Sequence, residues 1–497
     1  MPHLIGDFIM NYNELKSGTD IRGVASNIGG KTVTLTDSAV YDIASAFAVW
    51  LKAKLNKDDI KVSIGRDSRI TGPAIMDRVQ SALSSVGFMV VDCGLASTPS
   101  MFMTTLDNAC DAAVQITASH HPFDRNGIKF FTKDGGLNSN EIEEIIALAN
   151  EKKHLEFSKG VVIKANFLEK YAAFLRKMIC DGVGKTEEDL PLKNYKIIVD
   201  AGNGAGGFYA YDVLEKLGAD ITGSQFLNPD GMFPNHIPNP ENKDAMQSIK
   251  NAVLESKADL GLIFDTDVDR AGCVDKEGET INRNRLIALA SYIAVNGEKG
   301  KTIVTDSVTS DGLHDYIENY LGCKHYRFKR GYKNVINKAE EFCDSGIDAP
   351  LAIETSGHAA FKDNYFLDDG AYLVTRIVIE LAKGNDIKEI LDPLVIPAEE
   401  KEVRFNILCD DFKSYGNMVI DRLGEFVTEN KGYKIADDNN EGLRVCTENG
   451  WFLLRLSVHA PVMAMNFESR VIGGIEADIL KIRSFLEQFT QLDISAL

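Results

Sequence analysis

KVSIGRDSRITG, at Lys61–Gly72, is an apolar, β-branched segment that runs into a polar loop, and the same pattern occurs twice more. The other copies are YKIIVDAGNGAGG at 195–207 and KTIVTDSVTSDG at 301–312. Each copy is followed by a helix-like stretch, a second strand, another helical stretch and a third strand. Such a repeat indicates a structural unit that occurs three times in the chain. The sequence therefore predicts three similar α/β domains with helices on both faces of each sheet.

The third strand of each unit ends in a polar loop of unusual composition. These strands and loops are DAAVQITASHHP from Asp111, ADLGLIFDTDVDR from Ala258 and PLAIETSGHAAF from Pro350. Ligands of open α/β sheets bind outside the carboxyl ends of the strands. We therefore expect the three loops at equivalent positions in the three domains. Polar loops follow strands in any α/β protein, but three matched loops make that alternative the weaker one.

The pattern changes after about residue 398. EKEVRFNIL, GLRVCTENG and WFLLRLSVHA have the character of strands, and DDFKSYGNMVIDRLGEFV and IEADILKIRSFLEQF that of amphipathic helices. These segments predict a smaller C-terminal α+β domain. The predicted domains are 1–185, 186–295, 296–398 and 399–497.

Composition limits the function classes. The 497 residues are 44% hydrophobic and 26% charged, an ordinary globular balance. The net charge of −19 argues against nucleic-acid binding, which needs a basic face. The chain has no run near the ~20 apolar residues of a membrane span, and its first residues lack the features of a secretory signal. Eight scattered cysteines suggest neither a zinc site nor a disulfide framework, so we expect a cytoplasmic protein without membrane or nucleic-acid partners.

Ser119 is the first candidate for chemistry, because it follows an apolar strand and precedes two histidines. A serine at this point is suited to act as a nucleophile or phosphate carrier, and equally to cap the next turn. The loop alone leaves both alternatives open. The segment 124–136, DRNGIKFFTKDGG, reads as a hairpin with turn signals at 126–127 and 134–135. Such a hairpin would bring Lys129 back towards Ser119.

Asp265, Asp267 and Asp269 alternate along DTDVDR, so in extended chain their carboxylates face one way. Three converging anions repel, and a bound divalent cation resolves the repulsion. Hard oxygen ligands suit Mg²⁺. Arg270 follows directly and is placed to hold a phosphate. A solvated acidic loop is the alternative, but the apolar run just before it favours a fixed position.

ETSGH places Glu354, Ser356 and His358 within five residues. Carboxylate and hydroxyl pairs bind neighbouring sugar hydroxyls, and an imidazole can move a proton. Basic residues in Gly-containing loops are candidates for phosphate contacts, with surface solubility as the alternative for any one of them. They are Arg22 in SGTDIRG, Arg66 and Arg69 in GRDSR, and Lys329, Arg330 and Lys333 in FKRGYK.

The motifs together resemble a known superfamily. SGTDIRG, GRDSR, TASHHP with NGIKFF, DTDVDR, and ETSGH with LDDG occur in the order seen in the α-D-phosphohexomutases. That superfamily includes phosphoglucomutases, phosphomannomutases and phosphoglucosamine mutases, and the resemblance covers essentially the whole chain. It implies three similar mixed-sheet α/β domains plus a smaller C-terminal α+β domain around a central cleft.

The resemblance also implies residue roles. Ser119 matches the phosphoserine and, with Asp265, Asp267 and Asp269, the Mg²⁺ ligands. Positions tied to proton transfer and transition-state support are matched by Arg22, Lys129 and His358. Substrate-binding positions are matched by Arg270, Lys329, Gly331, Glu354, Ser356, Arg455, Ser457 and His459.

The implied reaction moves a phosphoryl group between the 1- and 6-positions of glucose or mannose phosphate. It passes through a phosphoserine and a hexose 1,6-bisphosphate, which also serves as activator. A monomer or homodimer is expected. The alternatives are a phosphoglucosamine or phosphopentose mutase, or a catalytically weak relative that binds sugar phosphates.

The chain departs from the superfamily pattern at several positions. His121 stands where Asn is usual, and Thr266 and Val268 stand where Gly is usual. The fourth-domain phosphate loop reads SVHAP at 457–461 instead of SNTEP or SGTEP, and Ala464 replaces a later Arg. We expect His459 to donate a hydrogen bond in place of the missing Thr.

Overall fold

The computed structural model describes residues 11–106, 110–457 and 460–497. The described chain divides into two compact units, one running to Ile281 with Leu367–Gly384 added, the other Asn282–Phe366 with Asn385–Leu497. The first unit holds two α/β sheets, and the second holds a third α/β sheet and an antiparallel sheet. Three α/β domains with mixed sheets and a further C-terminal domain are therefore present, as the sequence predicted. The domain limits given above stay a prediction.

The described strands, in chain order, are β1 (Lys16–Ser17), β2 (Asp20–Val24), β3 (Lys61–Arg66), β4 (Met89–Leu95), β5 (Ala112–Ile116), β6 (Arg125–Thr132), β7 (Gly135–Gly136), β8 (Val161–Lys164), β9 (Ile197–Asp200), β10 (Leu260–Phe264), β11 (Ala271–Asp275), β12 (Thr280–Ile281), β13 (Thr302–Asp306), β14 (Lys324–Phe328), β15 (Leu351–Ile353), β16 (Ala359–Phe361), β17 (Leu367–Asp368), β18 (Glu399–Ile407), β19 (Lys434–Ile435), β20 (Leu443–Cys446), β21 (Gly450–Leu456), β22 (Val462–Ser469) and β23 (Leu492–Asp493).

The described α-helices, in chain order, are α1 (Asp37–Leu55), α2 (Gly72–Ser84), α3 (Thr98–Leu106), α4 (Ser139–Asn150), α5 (Phe167–Val183), α6 (Lys243–Ser256), α7 (Arg283–Val295), α8 (Asp311–Asp315), α9 (Tyr332–Asp344), α10 (Gly370–Ala382), α11 (Ile387–Leu391), α12 (Phe412–Glu429) and α13 (Gly474–Leu486). Side-chain caps fix several of their starts. Asn138 and Glu141 form a reciprocal capping box at α4, and the Thr36 hydroxyl accepts from the Ala39 N–H at α1.

The threefold repeat predicted from the sequence is visible in the strand pairing. In each α/β domain the first strand of the repeat pairs in parallel with the third, as β3 with β5, β9 with β10 and β13 with β15. The next strand along the chain returns antiparallel to the third: β6, β11 and β16. The three polar loops therefore occupy equivalent positions, each between a third strand and its antiparallel neighbour.

The second domain differs from the repeat at its second strand. The sequence predicted a strand near Ala219, but the structure has two isolated parallel bridges there, Lys196↔Asp220 and Asp200↔Gln225. Gly223 between them has φ +110°, which interrupts extended chain. The segment therefore touches the sheet at two points instead of forming a ladder.

The predicted turn at 126–127 was wrong, because these residues lie inside β6. β6 pairs with both β2 and β5, and Gly127 lies in the tightest part of that packing. A Cβ at Gly127 would come within 2.3 Å of the Ile21 carbonyl oxygen and 2.7 Å of that of Thr117. The glycine therefore serves close packing between strands. The turn predicted at 134–135 lies between β6 and β7, as the antiparallel register requires.

The C-terminal domain has the strands and helices that its sequence predicted. Its sheet runs β19-β20-β21-β22-β18-β23 and is antiparallel throughout. Helices α12 and α13 contribute Val419, Leu423 and Ile482 to a core with Phe405 and Phe452 of the sheet. A separate hydrophobic cluster lies in each of the three α/β domains.

One buried contact ties α10 to the rest of the first unit. The Tyr171 hydroxyl of α5 donates to the carboxylate of Asp369 at 2.6 Å, and Asp369 also caps α10 by accepting from the Tyr372 N–H. Burial, with the nearby carboxylate, raises the pKa of Tyr171 well above its ordinary value. Tyr171 is therefore a neutral donor, and the contact fixes the start of α10 beside the loop that follows β10.

All eight cysteines are free thiols. Among the residues that the structure describes, no helix combines the length and apolar character needed to cross a membrane.

Candidate active site

Ser119 lies in the loop after β5 and is 1% exposed. Its backbone is left-handed, with φ +50°, an uncommon conformation for a residue other than glycine. Its hydroxyl Oγ donates to Asp265 Oδ2 at 3.2 Å and lies 3.2 Å from His120 Nδ1. A capping role alone does not explain why a buried serine is held in a strained conformation beside a carboxylate and an imidazole.

Two side chains fix the backbone of Ser119. The Thr117 hydroxyl accepts from the Ser119 N–H at 2.9 Å and donates to Asp67 Oδ2 at 2.7 Å. On the other side, Arg69 Nη2 donates to the Ser119 carbonyl. Both peptide groups of the serine are therefore held by buried polar side chains, which offsets the cost of its left-handed conformation.

Arg69 is fully buried and its whole guanidinium group is engaged. Nε bonds to Asp67 Oδ2 at 3.2 Å, while Nη1 and Nη2 donate to four carbonyl oxygens of the loop. These carbonyls belong to Ser119, His121, Pro122 and Arg125. The expectation that Arg69 contacts phosphate was therefore wrong, since its four Nη–H donors bind the loop that carries Ser119 and its Nε–H binds Asp67.

The three aspartates after β10 form one buried cluster. Asp265, Asp267 and Asp269 are at most 1% exposed, and each offers a carboxylate oxygen within 4.8 Å of the other two. Burial first, and then the charges of the other two carboxylates, raise the pKa of Asp265 well above its ordinary value. Three carboxylates at this spacing favour a cation among them.

The contacts of the cluster fit a divalent cation. Lys129 Nζ lies 2.5 Å from Asp269 Oδ2 and 3.5 Å from Asp267 Oδ2, so one ammonium pairs with two of the three carboxylates. The Thr98 hydroxyl donates to Asp267 Oδ2 at 2.5 Å. Asp267 Oδ1, by contrast, is buried and accepts no hydrogen bond from the described residues. A buried carboxylate oxygen that accepts no hydrogen bond is suited to bind a metal ion.

The loop that carries the cluster is strained at Val268. This residue has φ +69°, which is unfavourable for a β-branched side chain and costs about 1–3 kcal/mol. Its carbonyl accepts from the Gly370 N–H at the start of α10, at 3.1 Å. A Cβ at Gly370 would lie 2.6 Å from the Arg270 carbonyl carbon, so the helix start sits directly against the loop. Val268 therefore stands in a conformation that glycine adopts more readily, and packing against the start of α10 holds the loop there.

Positive charge surrounds the Ser119 loop. Burial and then the charges of Arg22, Arg125, Arg69 and Arg270, in that order, lower the pKa of His121 to about 4. Arg22 itself pairs with Asp20 through Nη2 at 2.8 Å. Four arginines thus act on His121 although the chain carries a net charge of −19, and they offer cationic partners for an anionic group such as phosphate.

In the second unit, the ETSGH loop joins the FKRGYK loop. Glu354 Oε1 accepts from the Gly331 N–H at 2.6 Å, and the Ser356 hydroxyl lies 3.4 Å from Glu354 Oε2. Burial and the charge of Asp306 raise the pKa of Glu354 to about 6. The sequence placed these residues in separate motifs, and the structure brings them into one hydrogen-bonded group. Lys329 is exposed beside them.

Asp306 organises this group from the end of β13. Its Oδ2 accepts from the Thr355 hydroxyl at 2.6 Å and lies 3.4 Å from Arg330 Nε. His358 is 6% exposed and stacks on the Tyr332 ring with centroids 5.1 Å apart. Strand end, loop and helix start are thus connected around Glu354.

Arg455 is the second-last residue of β21 in the C-terminal domain, close to the turn that leads to β22. Burial and then the like charge of Arg330 lower its pKa, and its Nε is buried without a hydrogen-bond partner among the described residues. The Ser457 hydroxyl accepts from the Ala460 N–H at 3.3 Å. His459 lies outside the described residues, so its predicted role stays a prediction.

The sequence matches known proteins along most of its length. It is 30% identical over 470 residues to a phosphoglucomutase of Neisseria gonorrhoeae, covering 94% of this chain and 95% of the relative. The chain belongs to the phosphoglucomutase/phosphomannomutase family. Family models for its alpha/beta/alpha domains I, II and III match residues 15–156, 169–278 and 282–396. The chain is accordingly a phosphohexomutase, a phosphotransferase of the isomerase class.

Two further comparisons agree. A phosphomannomutase/phosphoglucomutase of Pseudomonas syringae is 31% identical over 482 residues, with 94% of this chain and 95% of that protein covered. The crystal structure of a phosphoglucomutase/phosphomannomutase family protein from Burkholderia thailandensis superimposes with a TM-score of 0.79 at 26% identity. That superposition covers 97% of this chain and 98% of the other.

The sequence did not indicate the residues that hold the site together, such as Thr117, Thr98 and Asp306. A hydroxyl two residues before a loop serine is a known turn-forming arrangement, so Thr117 had a signal that could have been used. Thr98 and Asp306 lack such a signal, because their partners are distant in the chain.

Proposed function

We propose that this phosphohexomutase moves a phosphoryl group between the 1- and 6-positions of glucose or mannose phosphate through a phosphoserine at Ser119. The observation that supports this most is the placement of Ser119 Oγ, 3.2 Å from Asp265 in a buried cluster of three aspartates. A group-transfer nucleophile needs such a fixed position, with countercharge nearby.

The proposed reaction has two transfers. In the first, the bond between phosphorus and Ser119 Oγ breaks and one forms to the free hydroxyl of the substrate, giving a hexose 1,6-bisphosphate. The bisphosphate then reorients in the site and transfers its other phosphoryl group to Ser119. The attacking sugar hydroxyl loses a proton, which we assign to His358, and the sugar oxygen released in the second transfer takes that proton back. Exogenous hexose 1,6-bisphosphate would act as activator by charging Ser119.

Asp265, Asp267 and Asp269, with an oxygen of Ser119, would hold Mg²⁺, since the donor set is all oxygen. When bound, the ion would neutralise phosphoryl charge and polarise the phosphoserine for attack. Lys129, already paired with Asp269 and Asp267, is assigned to support charge in the transition state. Arg22 and Arg270 are assigned to orient the phosphoryl oxygens, which the action of both charges on His121 in the Ser119 loop supports.

The sugar is assigned to the second unit. Glu354 and Ser356 would bind neighbouring sugar hydroxyls. Lys329 and Gly331 would contact the sugar in a way that depends on its orientation. The phosphate that does not react is assigned to Arg455, Ser457 and His459. The buried, unpartnered Arg455 Nε supports an anion site there, because an unsatisfied guanidinium donor is costly without one.

A coupled assay on a panel of sugar phosphates tests the proposal. Glucose 1-phosphate and mannose 1-phosphate should be converted to their 6-phosphates with comparable kcat/KM, and glucosamine and pentose phosphates should turn over at least about tenfold more slowly. Highest kcat/KM on one of the latter would move the chain to that mutase class.

A catalytically weak relative is the second candidate, favoured by the altered loop at 457–461. Calorimetric binding of glucose 6-phosphate by a protein that turns over no sugar phosphate in the panel would support that reading and overturn the mutase proposal.

The hydrogen bond from Thr117 to Ser119 gives a sharper test of the nucleophile's placement. Thr117→Val leaves the Ser119 N–H buried without an acceptor, and we expect kcat to fall about tenfold while KM changes little. Thr117→Ser keeps the hydroxyl and should stay within about twofold of wild type. Equal kcat values for the two variants would contradict the proposed role of this bond.

A further inference from the structure

The C-terminal domain reaches the sugar loop of the third domain through a short acidic turn, residues 437–442 (DDNNEG), between β19 and β20. Both domains lie in the second unit. The Asn440 side-chain amide donates to the Arg327 carbonyl at 2.8 Å, and Arg327 Nη1 lies 2.5 Å from Asp438 Oδ2. These contacts anchor the acidic turn next to the end of β14, where the FKRGYK loop begins.

Glu441, in the same turn, binds the sugar loop directly. Its Oε2 accepts from the Arg330 N–H at 3.2 Å and from the Ser307 hydroxyl. The next amide in the loop, that of Gly331, donates to Glu354 at 2.6 Å. Two successive N–H groups are therefore held by two carboxylates, one from the C-terminal domain and one from the ETSGH loop.

The position of Glu441 is itself fixed from both sides. Gly442 has φ +56°, and a Cβ there would lie 2.2 Å from the Leu454 carbonyl oxygen, so the turn packs against β21. Arg444, two residues further, stacks on Trp451 at 3.6 Å and donates to the Ser307 carbonyl at 3.0 Å. Ser307 is thus bound through its carbonyl by Arg444 and through its hydroxyl by Glu441. A carboxylate placed this firmly can set the orientation of the peptide group it accepts from.

We propose that Glu441 is a positioning residue for sugar recognition, acting on Glu354 through two successive amides, the Arg330 N–H that it accepts from and the Gly331 N–H that Glu354 accepts from. The proposal rests on the proposed function, in which Glu354 and Gly331 contact the sugar. Gly331 has φ +115° and is flexible by nature, and Asn334 holds the carbonyls of Arg330 and Gly331, so the two carboxylates fix the amide side of this backbone. Without Glu441, the Arg330 N–H loses its acceptor, the loop turns more freely and Glu354 is less well oriented. Sugar hydroxyls are bound in ground and transition state alike, so the effect falls on KM.

The experiment compares three variants for turnover and for hydrogen exchange. In Glu441→Ala, KM for glucose 1-phosphate should rise about fivefold with kcat nearly unchanged, as expected for one lost hydrogen bond. Glu441→Gln keeps a carbonyl acceptor and should restore KM to within about twofold of wild type. Asp438→Ala is the matched control, because it removes a neighbouring carboxylate and its contact with Arg327, while Asn440 still anchors the turn and Glu441 keeps its bonds to Arg330 and Ser307.

Hydrogen exchange measures the loop without any substrate. Amides in the peptide covering 329–334 should exchange about fivefold faster in Glu441→Ala and be unchanged in Asp438→Ala. Unchanged exchange in Glu441→Ala, faster exchange with an unchanged KM, or an equal KM rise in Asp438→Ala would each overturn the proposal. If wild-type protein turns over no sugar phosphate, the proposed function fails, and the exchange data still show whether Glu441 holds the loop.

Discussion

Ser119→Ala should lose mutase activity by on the order of 10³-fold or more, because it removes the atom that carries the phosphoryl group. Wild-type protein as purified should contain a fraction with one extra phosphate, since a mutase keeps its phosphoryl group between turnovers. Intact-mass measurement and peptide mapping should place that phosphate on the TASHHP peptide, and glucose 1,6-bisphosphate should increase it. The residual rate of the variant would come from bisphosphate that donates directly.

The control for this variant is Ser100→Ala. Ser100 is another fully buried serine of the first domain. It lies in the first turn of α3, and its hydroxyl donates to the Ser97 carbonyl just before that helix. It should keep near-wild-type turnover and the phosphate on Ser119. Wild-type turnover in Ser119→Ala, or phosphate on a different residue, would move the nucleophile elsewhere.

Asp267→Ala should abolish metal-dependent turnover, with kcat lower by on the order of 10³-fold, since a metal supplies several kcal/mol of charge stabilisation. The fold should survive, because the side chain belongs to a polar cluster and not to an apolar core. A second readout needs no substrate. Mg²⁺ should raise the melting temperature of wild-type protein and leave that of the variant unchanged, because a ligand stabilises the state that binds it.

Asp244→Ala is the matched control for the metal experiment. Asp244 belongs to the same domain and is exposed in the first turn of α6. Both its turnover and its Mg²⁺-dependent melting should match wild type. Full activity of Asp267→Ala, or of wild-type protein in excess chelator, would remove the metal from the mechanism.

Local patterns in the chain predicted the elements that carry the site. The third segment of each predicted repeat is an apolar run that ends in a polar loop, and each forms a strand with an antiparallel neighbour, as β5, β10 and β15 show. The alternation in DTDVDR predicted converging carboxylates, and Asp265, Asp267 and Asp269 do converge. These features depend on residues close together in sequence, where periodicity and strand geometry suffice.

The predictions that failed involve contacts between distant segments. The glycine at 127 was taken for a turn residue, but it is required by the close approach of β2 and of Thr117 on either side of β6. Arg69 was taken for a phosphate ligand, but it binds carbonyls some fifty residues away. A single sequence does not state which distant backbone a side chain will meet.

The sequence by itself therefore determined the alternation of strands and helices along the chain, the three polar loops and the chemical types of side chain in them. The tertiary structure alone decided which groups hold those loops in place: Arg69 and Thr117 around Ser119, α10 against Val268, and Glu441 on the Arg330 amide. The physical reason is the same in each case. A buried polar atom must find a partner or lose stability, and in a folded chain that partner comes from whichever segment packing brings near.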